Sequence, residues 1–353
     1  MPETIARLAR SGVAAQVERG AGLAAAFPDA EYERAGATLA DASSAWVAGC
    51  DALLCVGRPS DALLRTVRPG TLLVGFLAPL GDPEYVARLA AAGVTAFAME
   101  AIPRVTRAQA MDALSSQSNI AGYKSVLLAA GTLPKFFPML TTAAGTIPPA
   151  KVLVLGAGVA GLQAIATARR LGAVVCAYDV RAIAKEQVQS LGAAFLEFDL
   201  GDAEGAGGYA RELTAEQAER QRAWMVEQIG KNDCVITTAL VPGRAAPLLV
   251  SEAAVAAMRP GSVIVDLAAE AGGNCALTRR DEIFTTENGV TIIGTTNLPS
   301  TMPFDASKLY SRNIAALLAL FVAKDGTSAI DFNDEIVRGA CIAHDGNVLL
   351  QQG

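Results

Sequence analysis

The sequence predicts an α/β chain of two doubly wound domains, each with a parallel sheet covered by helices on both faces. The length of 353 residues is too great for one ordinary domain and suits two. Hydrophobic residues make up 52% of the chain and aromatic residues only 5%, a composition that suits buried sheets packed against Ala-rich helices. Short apolar runs also alternate with helical stretches, as expected for βαβ units.

The predicted strands form two sets. The first set contains the apolar runs 52–56, 72–77 and 96–99. The second set contains the runs 151–155, 174–178, 234–237, 262–267 and 290–294. Helical stretches separate consecutive runs, so the strands of each set are expected to lie parallel in one sheet.

An internal echo links the two sets. Asp51 opens an apolar run, and Arg68-Pro69-Gly70 comes before the next run. Asp233 opens a similar run, and Arg259-Pro260-Gly261 comes before its successor. The echo predicts two similar domains, although Pro-Gly pairs also separate many unrelated helices and strands.

The segment 130–150 is rich in Pro and Gly and is the candidate hinge. A helix at 119–128 would leave the first domain and a helix at 306–323 would return to it, so that two crossing helices join the domains. We therefore predict a discontinuous first domain, 1–118 plus 306–353, and a second domain at 119–305. A cleft between two such domains is a usual ligand site.

Charge and cysteine content exclude several classes of protein. The net charge of −6 argues against a nucleic-acid partner. No apolar run approaches the roughly 20 residues of a membrane-spanning helix, and charged residues interrupt the start, so we expect neither a span nor a signal peptide. The six cysteines form no CxxC pair and are expected to be free thiols of a reducing compartment, with no metal site.

A glycine-rich loop follows the predicted strand 151–155 and precedes a helix. Gly156 permits a tight turn, Gly158 lets a pyrophosphate approach the backbone, and Gly161 lets the helix pack against the strand. The helix N-terminus offers unpaired N–H groups to the phosphates. In this strand–loop–helix context the pattern is the fingerprint of a dinucleotide-binding, Rossmann-like domain.

Asp179 ends the next predicted strand, where an acidic residue accepts hydrogen bonds from the adenosine ribose. Its charge would repel a 2′-phosphate, so NAD is favoured over NADP. Arg181 keeps the alternative open, because an arginine at this place can bind a 2′-phosphate.

The chain has a single histidine, His344, beside a predicted turn near the C-terminal end. Dehydrogenases of hydroxy or amino acids need a group that moves a proton as hydride moves. Direct hydride transfer between two nicotinamides does not, because it requires only binding and orientation.

A polar stretch at 103–119 stands out in this apolar chain. Thr106 could cap a helix that starts at Arg107, and Gln109, Asp112 and Ser116 would then share one face. These groups could bind a carboxamide and a ribose, or the stretch could be a solvated helix start. The residues alone leave both interpretations open.

Four segments together resemble one family: 104–123, 156–161, Asp179-Val180-Arg181, and 266–274. They are similar to the NAD(H)-binding component of proton-translocating NAD(P) transhydrogenase, the first polypeptide of its split alpha subunit, which shares its fold with alanine dehydrogenase. The resemblance implies a cytoplasmic homodimer that lies peripherally on the inner face of the membrane. It also implies hydride transfer between its own NAD(H) and NADP(H) on a partner component, coupled to proton translocation by a membrane component. We expect no activity without these partners.

The resemblance also implies roles for individual residues. The catalytic set would be Arg104, Gln109 and Asp112. The nicotinamide end would be lined by Arg104, Arg107, Gln109, Asp112 and Ser115. The pyrophosphate and adenosine would be held by Gly156, Gly158, Val159, Gly161, Asp179, Val180 and Arg181. A loop that closes over the nucleotide, ending at Gln221, would contribute Gly208, Tyr209 and Gln221, with Leu240 beside the adenine.

Two departures from the family pattern bear on these expectations. Family members start with a strand before the first helix, whereas this chain starts within that helix, so we expect a first sheet that lacks one strand and exposes an edge. Alanine dehydrogenases carry a histidine where this chain has Phe76 and Leu77, an aspartate in place of Glu270, and a lysine near Arg58. These differences favour transhydrogenase over an amino-acid dehydrogenase, with a non-catalytic NAD sensor as a third alternative.

Overall fold

The structure is a computed structural model that describes residues 1–41, 44–198, 215–241, 243–322 and 329–349. The chain divides into two compact units: unit 1, Met1–Gln117 with Ser300–Gly353, and unit 2, Ser118–Pro299. Both contain helices packed on sheets of mainly parallel strands, which confirms the predicted α/β fold class.

The described helices, in chain order, are α1 (Pro2–Arg10), α2 (Asp29–Arg34), α3 (Asp61–Leu64), α4 (Pro83–Ala91), α5 (Ala113–Thr132), α6 (Val159–Arg170), α7 (Ile183–Ser190), α8 (Ala215–Gly230), α9 (Glu252–Ala256), α10 (Pro303–Leu318) and α11 (Glu335–Ala340). None of these described helices combines the length and apolarity needed to cross a lipid bilayer.

The described strands are β1 (Gln16–Glu18), β2 (Thr38–Ala40), β3 (Ala52–Leu54), β4 (Leu72–Gly75), β5 (Thr95–Ala98), β6 (Leu140–Thr142), β7 (Gly145–Ile147), β8 (Lys151–Leu155), β9 (Val174–Tyr178), β10 (Ala194–Phe195), β11 (Cys234–Thr237), β12 (Val263–Asp266), β13 (Ile283–Thr285), β14 (Thr291–Ile293), β15 (Cys341–His344) and β16 (Asn347–Val348).

Unit 2 is built on a seven-stranded sheet in the order β10-β9-β8-β11-β12-β14-β13. All neighbours are parallel except β13, which pairs antiparallel with β14. The chain leaves β8 toward β9 on one side and later returns to β11 on the other. In a doubly wound sheet such a switch point opens a crevice outside the carboxyl ends of the two strands, where ligands bind.

Strand β8 shows why this sheet forms from a continuous apolar run. Val152 and Val154 pack into the core on one face, and Leu153 and Leu155 pack into the core on the other. Because successive side chains of a strand point to opposite faces, a sheet covered on both sides needs apolar residues at every position.

Unit 1 contains a five-stranded sheet in the order β16-β15-β5-β4-β3. Strands β3, β4 and β5 are parallel, whereas β15 pairs antiparallel with β5 and with β16. The prediction of purely parallel sheets was therefore wrong at the edges, because β15 and β16 come from the returning chain and form a hairpin. Strands β1 and β2 form a separate two-stranded parallel pair.

The internal echo is present as two similar β–α–β segments. Ser60 caps α3 and Ser251 caps α9, each accepting a hydrogen bond from the amide three residues ahead. Gly70 and Gly261 have φ values of +85° and +83° just before β4 and β12. Glycine adopts this left-handed backbone without a steric penalty, which explains the shared Pro-Gly pairs.

Three sequence-based placements differ from the structure. The proposed hinge at 130–150 contains the antiparallel hairpin β6–β7, which short polar strands did not reveal. Helix α5 begins at Ala113, earlier than predicted, because Asp112 caps it. His344 ends β15 instead of lying in a turn, and its Nδ1 lies 3.0 Å from the Thr95 hydroxyl.

All six cysteines are free thiols and none is exposed. Burial raises the pKa of every one of them, to about 11 for Cys55 and Cys176 and to about 12 for Cys234 and Cys341. Thiols in apolar surroundings lose solvation when they ionise, so they stay protonated at neutral pH.

Candidate nucleotide-binding site

The loop between β8 and α6 is shaped by its glycines. Gly156 has a φ of +96°, and a Cβ on Gly161 would lie 1.9 Å from the Gly156 carbonyl oxygen. The first turn of α6 therefore packs directly on the end of β8, which only glycine permits. A Cβ on Gly158 would meet nothing nearer than the Arg181 guanidinium, at 4.0 Å.

The start of α6 is open to an anion. Gly158 is its N-cap and offers no side chain to the first amides of the helix. Those amides carry the partial positive charge of the helix N-terminus. With open space over Gly158, the loop fits a pyrophosphate, and the residues present match the dinucleotide fingerprint.

Asp179, at the end of β9, is held from two sides. Its carboxylate accepts hydrogen bonds from the Ala157 amide at 2.7 Å and from the Arg181 amide, Nε and Nη2 at 2.8, 2.9 and 2.9 Å. Burial alone would raise the pKa of Asp179, but the bonds from Arg181 and Ala157 outweigh burial and lower that pKa. Asp179 is thus ionised at neutral pH, and Arg181 is engaged by it.

Three apolar residues of the expected adenosine side are exposed. Val180 follows β9 and is 80% exposed, Leu240 lies beyond β11 and is 54% exposed, and Val159 begins α6 and is 39% exposed. Each follows a strand of the sheet at its carboxyl edge. Exposed apolar side chains beside a polar loop suit a planar base, whose faces are apolar.

Thr238, which sequence reasoning missed, connects β11 to the glycine loop. Its hydroxyl donates to the Gly156 carbonyl at 3.0 Å, and its amide donates to the Leu155 carbonyl at 2.9 Å. The position directly after β11, beside the switch point, is the signal that would have identified it.

Two residues of the expected closing loop, Gly208 and Tyr209, lie outside the described residues. Gln221 was expected at the end of that loop, but it lies within α8. Its side-chain amide donates to the Tyr178 hydroxyl at 2.8 Å, and Trp224, one turn further along α8, packs edge-on against the Tyr178 ring. The tertiary contacts with β9 explain why this portion of the glycine-rich segment is helical.

In unit 1 the polar stretch does not form one α-helix. Residues Thr106–Met111 form a 3₁₀ helix that ends at Asp112, and α5 starts at Ala113. Asp112 caps α5 by accepting hydrogen bonds from the Ser115 amide at 2.8 Å and the Ser115 hydroxyl at 2.6 Å. The predicted common helical face was therefore wrong, because an aspartate favours capping over a position within a helix.

The remaining residues of this stretch differ in their freedom. Arg104 and Gln109 are exposed, and neither side chain forms an ion pair or hydrogen bond within the portion of the chain that the structure describes. Arg107 makes two hydrogen bonds of 2.7 Å with the carboxylate of Asp334, the N-cap of α11. That contact lowers the pKa of Asp334 to about 2.

The positions that distinguish the family's alanine dehydrogenases are engaged elsewhere. Phe76 stacks on Tyr310, with ring centroids 5.0 Å apart. Arg58 donates to the Leu77 carbonyl at 2.9 Å and pairs with Asp82 at 2.7 Å. Neither position therefore presents a group that exchanges protons near neutral pH.

Glu270, in unit 2, accepts a hydrogen bond from the Asn297 amide at 3.0 Å. Its carboxylate therefore holds a loop beyond β14. Across the described ranges, no three His, Cys, Asp or Glu side chains are grouped so that they could hold a metal ion.

Comparisons with known proteins agree with this architecture. The family described as "Alanine dehydrogenase/PNT, N-terminal domain" matches residues 1–121, and "Alanine dehydrogenase/PNT, C-terminal domain" matches residues 125–351. The first polypeptide of the split NAD(P) transhydrogenase subunit alpha of Rhodospirillum rubrum is 46% identical over 357 residues, which cover 99% of this chain and 93% of that protein.

Solved structures give the same result. A crystal structure of transhydrogenase from Sinorhizobium meliloti matches with a TM-score of 0.86 and 43% identity, over 99% of this chain and 93% of that one. An L-alanine dehydrogenase structure matches with a TM-score of 0.81 and 25% identity, over 99% and 91% of the two chains. Fold, glycine loop and sequence thus agree: the chain belongs to the alanine dehydrogenase/PNT family.

Proposed function

We propose that this chain is the NAD(H)-binding component of an NAD(P) transhydrogenase and transfers hydride directly between NAD(H) and NADP(H) held by a partner component. The observation that carries the proposal is the glycine loop with an ionised Asp179 beside it, in a chain 46% identical to a transhydrogenase alpha subunit. When bound, NADH supplies the hydride. We further propose that a membrane component couples the transfer to proton translocation.

Each portion of the loop has a task in this proposal. Gly156, Gly158 and the first amides of α6 bind the pyrophosphate. Asp179 accepts the ribose hydroxyls and excludes a 2′-phosphate, since Arg181 is already neutralised by the same carboxylate. Val180 and Leu240 cover the adenosine, and Val159 borders the pyrophosphate. Gly161 keeps α6 close enough to serve as the anion site.

The polar stretch of unit 1 is proposed to bind the nicotinamide end. Arg104 and Gln109 are exposed and free to orient a carboxamide or a phosphate of the second nucleotide. Asp112 and Ser115 are fixed by their mutual hydrogen bonds and offer a rigid polar pair. Arg107 is proposed as a weaker contact, because reaching the nucleotide would mean leaving Asp334.

The same proposal includes a closing segment, although some of it lies outside the described residues. Gly208, Tyr209 and Gln221 would cover the nucleotide and exclude water while hydride moves. Gln221 would have to exchange its bond with Tyr178 for one with the nucleotide or with that segment.

The partner proposals rest on family similarity and on one exposed feature. We propose a cytoplasmic homodimer that is peripheral on the inner face of the membrane through its partner subunits. The hairpin β6–β7 supports a dimer, because all six of its strand residues are exposed and a two-stranded hairpin is marginal alone. Leu140 and Ile147 on it are 37% and 40% exposed, and nearby Phe136 and Met139 are 53% and 63% exposed.

An amino-acid dehydrogenase is the second candidate, because an alanine dehydrogenase of Bacillus subtilis is 28% identical over 98% of this chain. Such an enzyme needs a group that exchanges a proton with the amino or keto substrate. The engaged Arg58 and Glu270 and the aromatic Phe76 disfavour it.

Three mixtures separate the candidates. The purified chain is given NADH and an NADP analogue alone, with a separately supplied NADP-binding component, or with pyruvate and ammonia in place of both. We expect NADH oxidation only in the second mixture. Oxidation in the third mixture, with none in the second, would identify a dehydrogenase instead.

A further inference from the structure

The segment 266–274, at the carboxyl end of β12, contains a fully buried carboxylate. Asp266 is 0% exposed, and no cation pairs with it among the described residues. Five neutral groups donate to it at 2.7–3.0 Å: the Thr237 hydroxyl, the Thr278 hydroxyl, and the amides of Ala268, Asn274 and Cys275. A buried carboxylate with a full set of donors fixes the positions of the groups that donate to it.

Two consecutive glycines bring the chain back over this carboxylate. Gly272 and Gly273 have φ values of +95° and +85°. A Cβ on Gly273 would lie 2.9 Å from Asp266 Oδ2, so a larger residue would disturb the carboxylate as well as strain the backbone. The turn places Asn274 in the interior, where it is 0% exposed.

The Asn274 side chain is fully directed at the loop after β11. Its Oδ1 accepts a hydrogen bond from the Ala239 amide at 3.0 Å, and its Nδ2 donates to the Ala239 carbonyl at 2.9 Å and the Pro247 carbonyl at 2.8 Å. The amide therefore fixes both backbone groups of Ala239, which neither an aspartate nor an alanine could do.

Ala239 lies between two residues of the candidate site. Thr238, before it, donates its hydroxyl to the Gly156 carbonyl at 3.0 Å. Leu240, after it, is the exposed residue proposed to cover the adenine. A shift of Ala239 would thus change the support of the glycine loop and the position of Leu240 together.

We propose that Asn274, itself held by Asp266, is a positioning residue that fixes Thr238 and Leu240 for nucleotide binding. The proposal rests on NAD(H) binding as the function of the glycine loop. Asn274 acts through Ala239, and Asp266 acts one step further away, by orienting the amide of Asn274.

Asn274→Asp tests the amide by replacing its NH₂ with an oxygen of the same size. When ionised, this oxygen faces the two carbonyls of Ala239 and Pro247 and repels them; when protonated, it donates to one of them again. Burial raises the pKa of such a carboxyl, which moves its titration into an accessible range. We expect the Kd for NADH to be about tenfold weaker than wild type near pH 8, and within about threefold near pH 5.5.

The matched control is Asn288→Asp. Asn288 also donates its amide to a carbonyl of unit 2, that of Val255 at 2.9 Å, but that carbonyl belongs to α9 and not to the loop after β11. NADH fluorescence titration gives Kd, and thermal unfolding without NADH gives stability at each pH. The control is expected to lower the unfolding temperature while Kd stays within about twofold of wild type, since distant sites act independently.

Each outcome decides between the proposals. An Asn274→Asp chain with wild-type Kd at both pH values, or equal weakening by the control, overturns the positioning role. If Asn274→Asp does not fold, Thr238→Val takes its place: it removes only the hydroxyl on Gly156, and a severalfold weaker Kd is expected, whereas an unchanged Kd overturns the role. A wild-type chain that does not bind NADH overturns the proposed function itself.

Discussion

Asp179 is the residue at which charge, burial and specificity meet. Its lowered pKa has a direct consequence, because a carboxylate that gains hydrogen bonds on folding stays ionised below its usual range. The ribose acceptor should therefore remain available throughout the neutral and mildly acidic range and be lost only below about pH 4. Asp179→Ala should weaken NADH binding by about 1.5–3 kcal/mol, measured by fluorescence titration.

A related substitution tests the specificity that Asp179 confers. In Asp179→Ser the Arg181 guanidinium loses its partner and becomes free to bind a 2′-phosphate. The ratio of NADPH affinity to NADH affinity should rise by about tenfold or more. The double variant Asp179→Ser with Arg181→Ser should lose that gain. An equal ratio in the single and double variants would show that Arg181 does not face the ribose.

Gly122 illustrates a constraint that acts through the backbone alone. A Cβ there would lie 2.1 Å from the Ala160 carbonyl oxygen, in the first turn of α6. Gly122→Ala should therefore lower the free energy of unfolding by about 1–3 kcal/mol and weaken NADH binding, because the start of α6 must move.

Gly131 in the same helix is the matched control for Gly122. No atom lies within 4 Å of its added Cβ, so Gly131→Ala should raise the free energy of unfolding by about 0.5–1 kcal/mol. Urea unfolding of the two variants checks both signs. Similar behaviour of the two would mean that the close approach of α5 to α6 does not constrain the fold.

Among the elements, the 3₁₀ helix Thr106–Met111 is joined to the start of α11 by Arg107 and Asp334. Arg107→Gln removes the charge but leaves Asp334 to cap α11. Because folding lowers the pKa of Asp334 to about 2, its contribution to stability is present above the unfolded pKa of about 3.9 and is lost as the pH falls toward about 2.

We therefore expect Arg107→Gln to lower the urea midpoint equally from neutral pH to about pH 4, and the difference from wild type to shrink below that. NADH affinity should change less than in Arg104→Gln, whose side chain is free. A larger loss of affinity in Arg107→Gln would instead place that guanidinium on the nucleotide.

Elements buried on both faces were the ones that sequence could predict. Strands β8, β9 and β11 have the predicted bounds, because a doubly covered strand leaves a continuous apolar run. The hairpin β6–β7 was missed because its residues are exposed and carry no such pattern. The break at Asp112 was missed because helix interior and N-cap compete at an aspartate, and only the Ser115 contacts decide.

For the site, the sequence identified Gly156, Gly158, Gly161 and Asp179, whose roles follow from local backbone requirements. It did not identify Thr238, whose contact with Gly156 joins residues far apart in the chain. The roles of Arg104, Gln109, Asp112 and Ser115 remain proposals, because they depend on a nucleotide bound beside them.

On the scale of the whole molecule, the exposed hairpin bears on assembly. Met139→Asp, at a side chain 63% exposed, should shift the proposed homodimer toward monomer in sedimentation equilibrium, because it places a charge in an apolar contact. Ile283→Asp, at 59% exposure on the edge strand β13, is the matched control and should stay dimeric. A dimer that survives Met139→Asp, or a wild-type monomer, would argue against the hairpin as the interface.

The six native thiols, none of them exposed, have a practical consequence for spectroscopy. With a pKa near 11, a thiol is ionised at neutral pH in only about one molecule in ten thousand, and maleimides and similar reagents attack the thiolate. A cysteine introduced at an exposed position such as Gln109 would outcompete the native thiols for such a reagent. The chain can therefore carry a fluorophore or spin label at a chosen position without first replacing any of its own cysteines.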